Sequence, residues 1–79
     1  MTNTEKLIAA FADALTIDAA MIKDSLAYQS IPEWDSISHM VLISRLEETF
    51  DVSIDTDDVI DMSSVAKAKE ILKKYKVTF

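Results

Sequence analysis

Ser36 and His39 are the residues whose types and spacing come closest to a catalytic pair. Residues three apart share one face of a helix, so a serine nucleophile activated by a histidine base is chemically conceivable. The chain has no glycine to form the sharp turn that exposes such a serine, and no third group clearly orients the imidazole. We therefore interpret His39 as a packing residue beside Trp34, at the spacing of a hydrophobic staple, and predict no catalytic residue.

A second kind of chemistry, calcium binding, is suggested by four aspartates close together, at Asp55, Asp57, Asp58 and Asp61. A calcium-binding loop alternates its oxygen ligands around a central glycine and ends in a bidentate glutamate. Here the glycine is missing and Val59 occupies a ligand position. The chain also has no cysteine and a single histidine, so it lacks the usual ligands of zinc and iron–sulfur clusters. We predict no metal site.

Ser36 has a different possible use, as the acceptor of a covalent group. It is predicted to be the first residue of a helix, after an extended approach through Pro32, and its hydroxyl should be exposed. A phosphodiester at this point would lie near the unpaired N–H groups and the positive dipole end of the helix. Glu33 and Asp35 oppose an anion there, so the position suits a tethered group that extends into solvent. A serine at a helix start is usually only a capping or first-turn residue, so position alone does not decide.

Helical periodicity indicates the elements that must position these residues. Thr2 and Glu5 form a capping-box pattern before a helix predicted over residues 4–15. Asp35 is the expected N-cap of a second helix over residues 36–50. The apolar positions expected to face the core from these two helices are Leu7, Ile8, Phe11, Ala12, Leu15, Leu42, Ile43, Leu46 and Phe50.

The remaining segments are shorter or less regular. Residues 16–34 form a long connection, and long connections in small domains are often functional. Residues 56–61 are predicted to form one short helical turn, and Ser63 or Ser64 is the expected cap of a last helix. We expect the loops to reach the core through Ile17, Ile22, Leu26, Ile31, Val52 and Ile54, and the last helix through Val65, Ala68, Ile71, Leu72 and Tyr75. The chain is therefore predicted to be all-α, a small bundle of three main helices plus one short helix.

Length and charge set the class of the protein. With 79 residues it should form one domain, residues 1–79, and its net charge of -6 argues against nucleic acid as the main partner. Residues 33–61 hold nine acidic residues and one basic residue, Arg45, so this segment could dock onto basic partners. No apolar run is long enough to span a membrane and the N-terminus does not resemble a signal peptide. We expect a cytoplasmic monomer with no membrane contact.

The stretch from Trp34 to Ile54 resembles the modification motif and second helix of the acyl carrier protein family. Asp-Ser-Ile alone has no specificity. Here it is followed at fixed spacing by a Leu-Glu-Glu-x-Phe run, with the family's length, acidity and long first loop, and the likeness covers essentially the whole chain. The residues that carry it are Asp35, Ser36, Ile37, Leu42, Leu46, Glu47, Glu48 and Phe50.

The resemblance implies a carrier protein without enzymatic activity of its own. A phosphopantetheinyl transferase would move 4′-phosphopantetheine from coenzyme A onto the Ser36 hydroxyl, with Asp35 as the motif residue and helix cap. The thiol of the arm would hold an acyl group as a thioester, which a chain without cysteine cannot do by itself. Partner enzymes of fatty-acid, polyketide or related specialised biosynthesis would load the acyl group and receive it.

The resemblance also implies a partner-binding face on the second helix, extended by acids of the short third helix. Apolar residues would anchor near the arm and acidic residues would steer basic partners at longer range. The residues expected on this face are Ile37, Met40, Val41, Ser44, Glu47, Glu48, Asp57 and Asp58.

The chain departs from carriers of core fatty-acid synthesis, which usually show Gly-Ala-Asp-Ser-Leu and a more acidic second helix. Here Trp34 precedes Asp35, Ser38 and Val41 replace commonly acidic positions, and Arg45 lies in mid-helix. This pattern looks like specialised stand-alone carriers, some of which serve amino-acid thioesters. The family's bundle can enclose an acyl chain, and the core packing decides whether this one does. The packing in question is that of Phe11, Leu42, Leu46 and Ile71.

Two alternatives remain open from the sequence. An aminoacyl or peptidyl carrier would use the same arm, and loading by an amino-acid-specific adenylating ligase would identify it. An acidic helical interaction module that is never modified would use Ser36 only as a helix-start residue.

Overall fold

The computed structural model describes residues 1–79. They form four α-helices, α1 (Asn3–Leu15), α2 (Ser36–Phe50), α3 (Thr56–Asp61) and α4 (Val65–Lys74), with one 3-10 turn at Ala19–Met21. The all-α bundle of three main helices and one short helix is therefore confirmed. None of the four helices has the length and apolar character needed to cross a membrane.

The first two helices have the predicted caps, and α1 begins at Asn3, one residue before its predicted start. At α1, the Thr2 hydroxyl accepts from the Glu5 N–H at 3.2 Å, and the Glu5 carboxylate accepts from the Thr2 N–H at 3.0 Å. This reciprocal pair is the predicted capping box. The predicted bounds of α2 agree with the structure, with Asp35 as N-cap. Ser64, the second of the two candidates, caps α4 by accepting from the Lys67 N–H at 3.0 Å.

Helices α1 and α2 end on residues in the left-handed conformation, Thr16 with φ 56° and Asp51 with φ 54°. Glycine usually takes this position because it has no Cβ to clash, and this chain has none. The cap N–H of Thr16 still donates to the Ala12 carbonyl, and that of Asp51 to the Glu47 carbonyl. The helix ends are thus satisfied at some conformational cost.

One hydrophobic core lies between α1, α2, α4 and the long loop. Trp34, Phe11, Leu7, Leu42 and Leu46 are all fully buried. The Phe11 and Trp34 rings meet edge to face, with centroids 5.5 Å apart. Trp34 therefore brings the end of the long loop into the centre of the bundle, directly before α2.

The inner face of α1 differs in part from the prediction. Leu7, Phe11 and Leu15 are buried as expected, but Ala10 and Ala14 complete the buried set. Ile8 and Ala12 are only partly buried at the edge of the core. The buried stripe of α1, which packs against α2, is therefore rotated toward the two small alanines.

The connection between α1 and α2 is held by hydrogen bonds as well as by apolar anchors. Ile22 is buried, and Ile17, Leu26 and Ile31 pack partly buried against the core, as predicted. The Tyr28 N–H donates to the Ser63 carbonyl and the Val65 N–H donates to the Leu26 carbonyl, both at 2.9 Å. These bonds and the isolated antiparallel bridge Ala27–Ser64 fix the loop against the start of α4. Neither the bridge nor the 3-10 turn is predicted by the sequence pattern.

Candidate modification site and docking face

Ser36 lies exposed at the first residue of α2. The side-chain hydrogen bonds around it belong to its neighbours. The Asp35 carboxylate accepts from the N–H groups of Ile37 and Ser38 at 3.0 and 2.9 Å, and the Ser38 hydroxyl accepts from the Asp35 N–H at 2.9 Å. The Ser38 hydroxyl also donates to the Glu33 carbonyl at 2.6 Å. The Ser36 hydroxyl takes part in none of these bonds, so it is free to react.

Asp35 is the N-cap of the helix that begins with this serine. The hydrogen bond from the Ser38 N–H is the main reason why the pKa of the Asp35 carboxyl lies below its ordinary value. The carboxylate therefore stays ionised and occupies two of the helix N–H groups. This corrects one expectation, since those two N–H groups are not available to a phosphodiester on Ser36. A group attached there is held by its covalent bond and extends into solvent.

His39 does not act as a base for Ser36. Its Nδ1 accepts from the Trp34 Nε1–H at 3.0 Å, and its Nε2 lies 2.8 Å from the Val59 carbonyl oxygen. Its ring also stacks on the Trp34 indole, with centroids 6.1 Å apart. Both ring nitrogens are occupied, and the predicted packing role of His39 beside Trp34 is confirmed.

A surface groove of about 300 Å³ opens beside Ser36, between α2 and α3. The side chains around it are mostly apolar. They are Tyr28, Ser36, His39, Met40, Val59, Ile60, Met62 and Ser63. Sequence reasoning missed the groove because its residues come from the long loop, α2, α3 and the turn before α4.

The exposed side of α2 begins with three apolar residues next to Ser36. Ile37 is 76% exposed, Met40 58% and Val41 43%. Ser44 and Glu48 continue this side toward the end of α2 and are exposed as well. Adjacent exposed apolar groups of this kind indicate a contact surface. We call Ile37, Met40, Val41, Ser44 and Glu48 the docking face.

Helix α3 adds one residue that the sequence analysis did not select. Ile60 is 74% exposed and lines the same groove as Met40. The sequence of α3 is dominated by its aspartates. Its two apolar residues, Val59 and Ile60, are adjacent, and adjacent residues of a helix point in different directions, so only one of them can face the core. Val59 packs against the core and Ile60 faces solvent. The adjacent pair Val59-Ile60 was the feature of the sequence that could have predicted an exposed apolar residue on α3.

Two predicted members of the partner face serve the fold. Asp58 is only 6% exposed, and its carboxylate accepts from Lys74 Nζ at 2.5 Å and from the Tyr75 hydroxyl at 2.7 Å. These bonds hold the pKa of Asp58 below its ordinary value. The placement of Asp58 on the partner face was therefore wrong, because its charge is used inside the fold. Glu47 is half-buried, and its carboxylate accepts from the Ile54 N–H at 2.9 Å.

Arg45 does not interrupt the docking face. Its guanidinium bonds the Asp13 carboxylate of α1 at 2.6 Å. Both side chains are about half exposed, so the pair contributes little stability, but it directs the cation away from the apolar start of α2.

A family model described as "Phosphopantetheine attachment site" matches residues 5–72 of this chain. The match includes the exposed serine, its capping aspartate and the docking face. The chain belongs to the acyl carrier protein family. An "Acyl carrier protein" of Lactobacillus johnsonii (strain CNCM I-12250 / La1 / NCC 533) is 31% identical over 78 residues, covering 95% of this chain and 98% of that protein. No solved structure matches the chain.

Membership in the family makes this chain a carrier protein, not an enzyme, with covalently attached 4′-phosphopantetheine as its prosthetic group. Such carriers interact with a phosphopantetheinyl transferase and with acyl-handling enzymes. The fold suits the group, since it offers a free, exposed serine hydroxyl at a helix start with open space beside it. The arm supplies the thiol that the cysteine-free chain lacks.

Proposed function

We propose that Ser36 is the attachment point of the arm and that the carrier holds acyl intermediates on it as thioesters. The observation that carries this proposal is the free Ser36 hydroxyl, exposed at the start of α2 between the Asp35–Ser38 capping bonds and the apolar docking face. In the modification, the Ser36 oxygen forms a phosphodiester with the phosphopantetheine of coenzyme A, and adenosine 3′,5′-bisphosphate leaves.

The docking face supports delivery to partner enzymes. Ile37 and Met40 lie next to Ser36, so a partner that covers them also covers the base of the arm. Glu48 and Asp57 are exposed acids that can steer basic partners at longer range. The transferase and the enzymes that load and remove the acyl group would use this face in turn.

Fatty-acid, polyketide or related specialised biosynthesis is the proposed setting. The residues around Ser36 favour the specialised branch, since Trp34 fills the core directly before the motif and the second helix carries few acids at its start. An aminoacyl or peptidyl cargo is the second candidate on the same observation. Transfer of an amino acid to the arm by an adenylating ligase would separate the two.

Intact-mass spectrometry tests the attachment site. The carrier is incubated with coenzyme A and a broad-specificity phosphopantetheinyl transferase, beside Ser36→Ala and the matched control Ser44→Ala, an exposed serine on the same helix. We expect one phosphopantetheine unit on the native chain and on Ser44→Ala, and none on Ser36→Ala. Modification of Ser36→Ala would contradict the proposal, because the arm would then be on another residue. Modification of no variant would also contradict it and would favour the unmodified interaction module.

A further inference from the structure

His39 of α2 bonds the loop before α2 through one ring nitrogen and α3 through the other. An indole N–H can only donate, so the bond from Trp34 Nε1 requires His39 Nδ1 to be the acceptor. The ring proton then lies on Nε2, where it is donated to the Val59 carbonyl oxygen. The side chain therefore connects the loop before α2 with α3 across the base of the groove.

Trp34 and Tyr28 extend this connection into a continuous layer of rings. The Tyr28 ring meets the His39 ring at 5.3 Å and the Trp34 ring at 6.2 Å, both edge to face, and Trp34 stacks on His39. Trp34 also meets Phe11 at the centre of the bundle. We call Tyr28, Trp34 and His39 the aromatic wall.

The aromatic wall lies between the groove beside Ser36 and the interior of the bundle. Tyr28 and His39 line the groove, whereas Trp34 is fully buried behind them. The core residues whose packing decides whether an acyl chain can enter the bundle are also shielded from solvent. Phe11, Leu42 and Leu46 are fully buried and Ile71 is 3% exposed. Because protein interiors are close-packed, a chain that enters the core past Tyr28 and His39 has to displace the wall.

We propose that the aromatic wall keeps the cargo of the arm outside the helical core, and that His39 and Trp34 determine this property. The inference rests on the proposed attachment to Ser36. Displacing the wall would leave the Trp34 N–H and the Val59 carbonyl without partners, which buried polar groups do not tolerate well. The carrier is therefore suited to short or polar acyl and aminoacyl groups, since a long aliphatic chain would remain in water.

The test compares two cargoes on the same carrier. The transferase loads the native chain from acetyl-coenzyme A or decanoyl-coenzyme A, and mass spectrometry verifies each product. Thioester cleavage by hydroxylamine and the thermal unfolding midpoint, Tm, are then measured. A chain left in solvent shields nothing, so we expect the two cleavage rates to agree within about twofold. The two Tm values should agree within about 2 °C, because no additional apolar area is buried in the bundle.

Variants test which side chains form the barrier. Trp34→Ala removes the buried ring, and His39→Ala is a milder change should the first variant fail to fold. Ser63→Ala is the matched control, since the exposed Ser63 lines the groove but belongs neither to the wall nor to the docking face. With the wall opened, the decanoyl chain can enter, and its cleavage should become about fivefold slower than that of the acetyl form, with Tm raised by about 5 °C or more. The Ser63→Ala carrier should behave like the native one.

Three results would overturn the inference, and they are distinguishable. Slow cleavage and a raised Tm of the native decanoyl carrier would show that the core admits the chain, while the attachment to Ser36 stands. Unchanged cleavage in folded Trp34→Ala and His39→Ala would show that other side chains close the core. A chain that gains no mass would overturn the proposed function, and this inference with it.

Discussion

Asp57 and Asp58 are neighbours in α3, and the fold gives them opposite environments. The Asp57 side chain is exposed, whereas the Asp58 carboxylate is buried and bonded to Lys74 and Tyr75 of the α4 end. We call Asp58, Lys74 and Tyr75 the α3–α4 corner. Lys74 neutralises the charge of Asp58 in this corner. The charge of Asp57 is not neutralised in this way and remains exposed on the surface.

The comparison separates two uses of acidic residues in one short helix. In the α3–α4 corner, a carboxylate with two donors holds a six-residue helix that is too short to be stable by itself. On the exposed side, the Asp57 carboxylate has no such partners, and its charge adds to the negative potential of the surface. A run of acids in a sequence can therefore contain residues with unrelated roles.

The largest difference should appear in thermal stability. Asp58→Asn removes the charge that Lys74 and Tyr75 bind, and should lower Tm by about 5–10 °C. Asp57→Asn removes an exposed charge and should change Tm by less than about 2 °C. Differential scanning calorimetry of both variants checks this. Equal losses would mean that the α3–α4 corner does not hold α3.

Acidification should remove nearly the whole difference in stability between the native chain and Asp58→Asn. The pKa of Asp58 is lower in the folded chain than its unfolded value of about 3.9, so its stabilisation is present above that pH and is lost as pH falls through the folded pKa. Urea unfolding of the native chain and Asp58→Asn from pH 7 to pH 2 should therefore give free energies that converge below about pH 4. The native chain should continue to weaken in acid through Asp35 and Glu5, whose pKa values are also lowered by hydrogen bonds. A constant gap over the whole range would contradict the role of the Asp58 charge.

Tyr75→Phe should have a smaller effect than Asp58→Asn. The Tyr75 hydroxyl donates to Asp58 and accepts from the Asp55 N–H at 2.9 Å, and both bonds are lost while the Lys74–Asp58 pair remains. We expect Tm to fall by about 3–5 °C. Combining Tyr75→Phe with Asp58→Asn should cost less than the sum of the two changes, because the two residues share one bond. Strict additivity would show that they act independently.

The smallest expected effect concerns the exposed acids. Glu48→Gln and Asp57→Asn together should raise the KM of the phosphopantetheinyl transferase by about two- to fivefold at low salt, and the difference should shrink as salt is added. Asp18→Asn, an exposed acid in the long loop, is the matched control. A KM that is unchanged, or that rises equally with Asp18→Asn, would count against a docking role for Glu48 and Asp57.

Much of the fold was predictable from short stretches of sequence. The Thr2–Glu5 capping box, the Asp35 cap and the bounds of α2 follow from interactions between residues at most three apart. The exposure of Ser36 agrees with its predicted position as a polar residue at the start of α2, outside the buried positions Leu42, Ile43 and Leu46. Local hydrogen bonds carry their own signature in the sequence, so no tertiary information is needed.

The features that sequence reasoning missed depend on residues far apart in the chain. Asp58 bonds partners 16 and 17 residues away, and His39 reaches Val59 across 20 residues. The exposure of Ile60 and the groove beside Ser36 depend on how α3 packs against α2. The order of apolar and acidic residues in α3 is compatible with several ways of packing this short helix, so the sequence does not predict which one occurs.

The sequence by itself determined the helices, their caps, the family and the serine at the start of α2, because each rests on residue types at short, regular spacing. Only the tertiary structure decided which aspartate is buried, which isoleucine faces solvent, and that His39 bonds both Trp34 and Val59. The physical reason is that burial and pairing are properties of two packed surfaces, and the free energy of a buried charge or ring depends on partners brought from elsewhere in the chain.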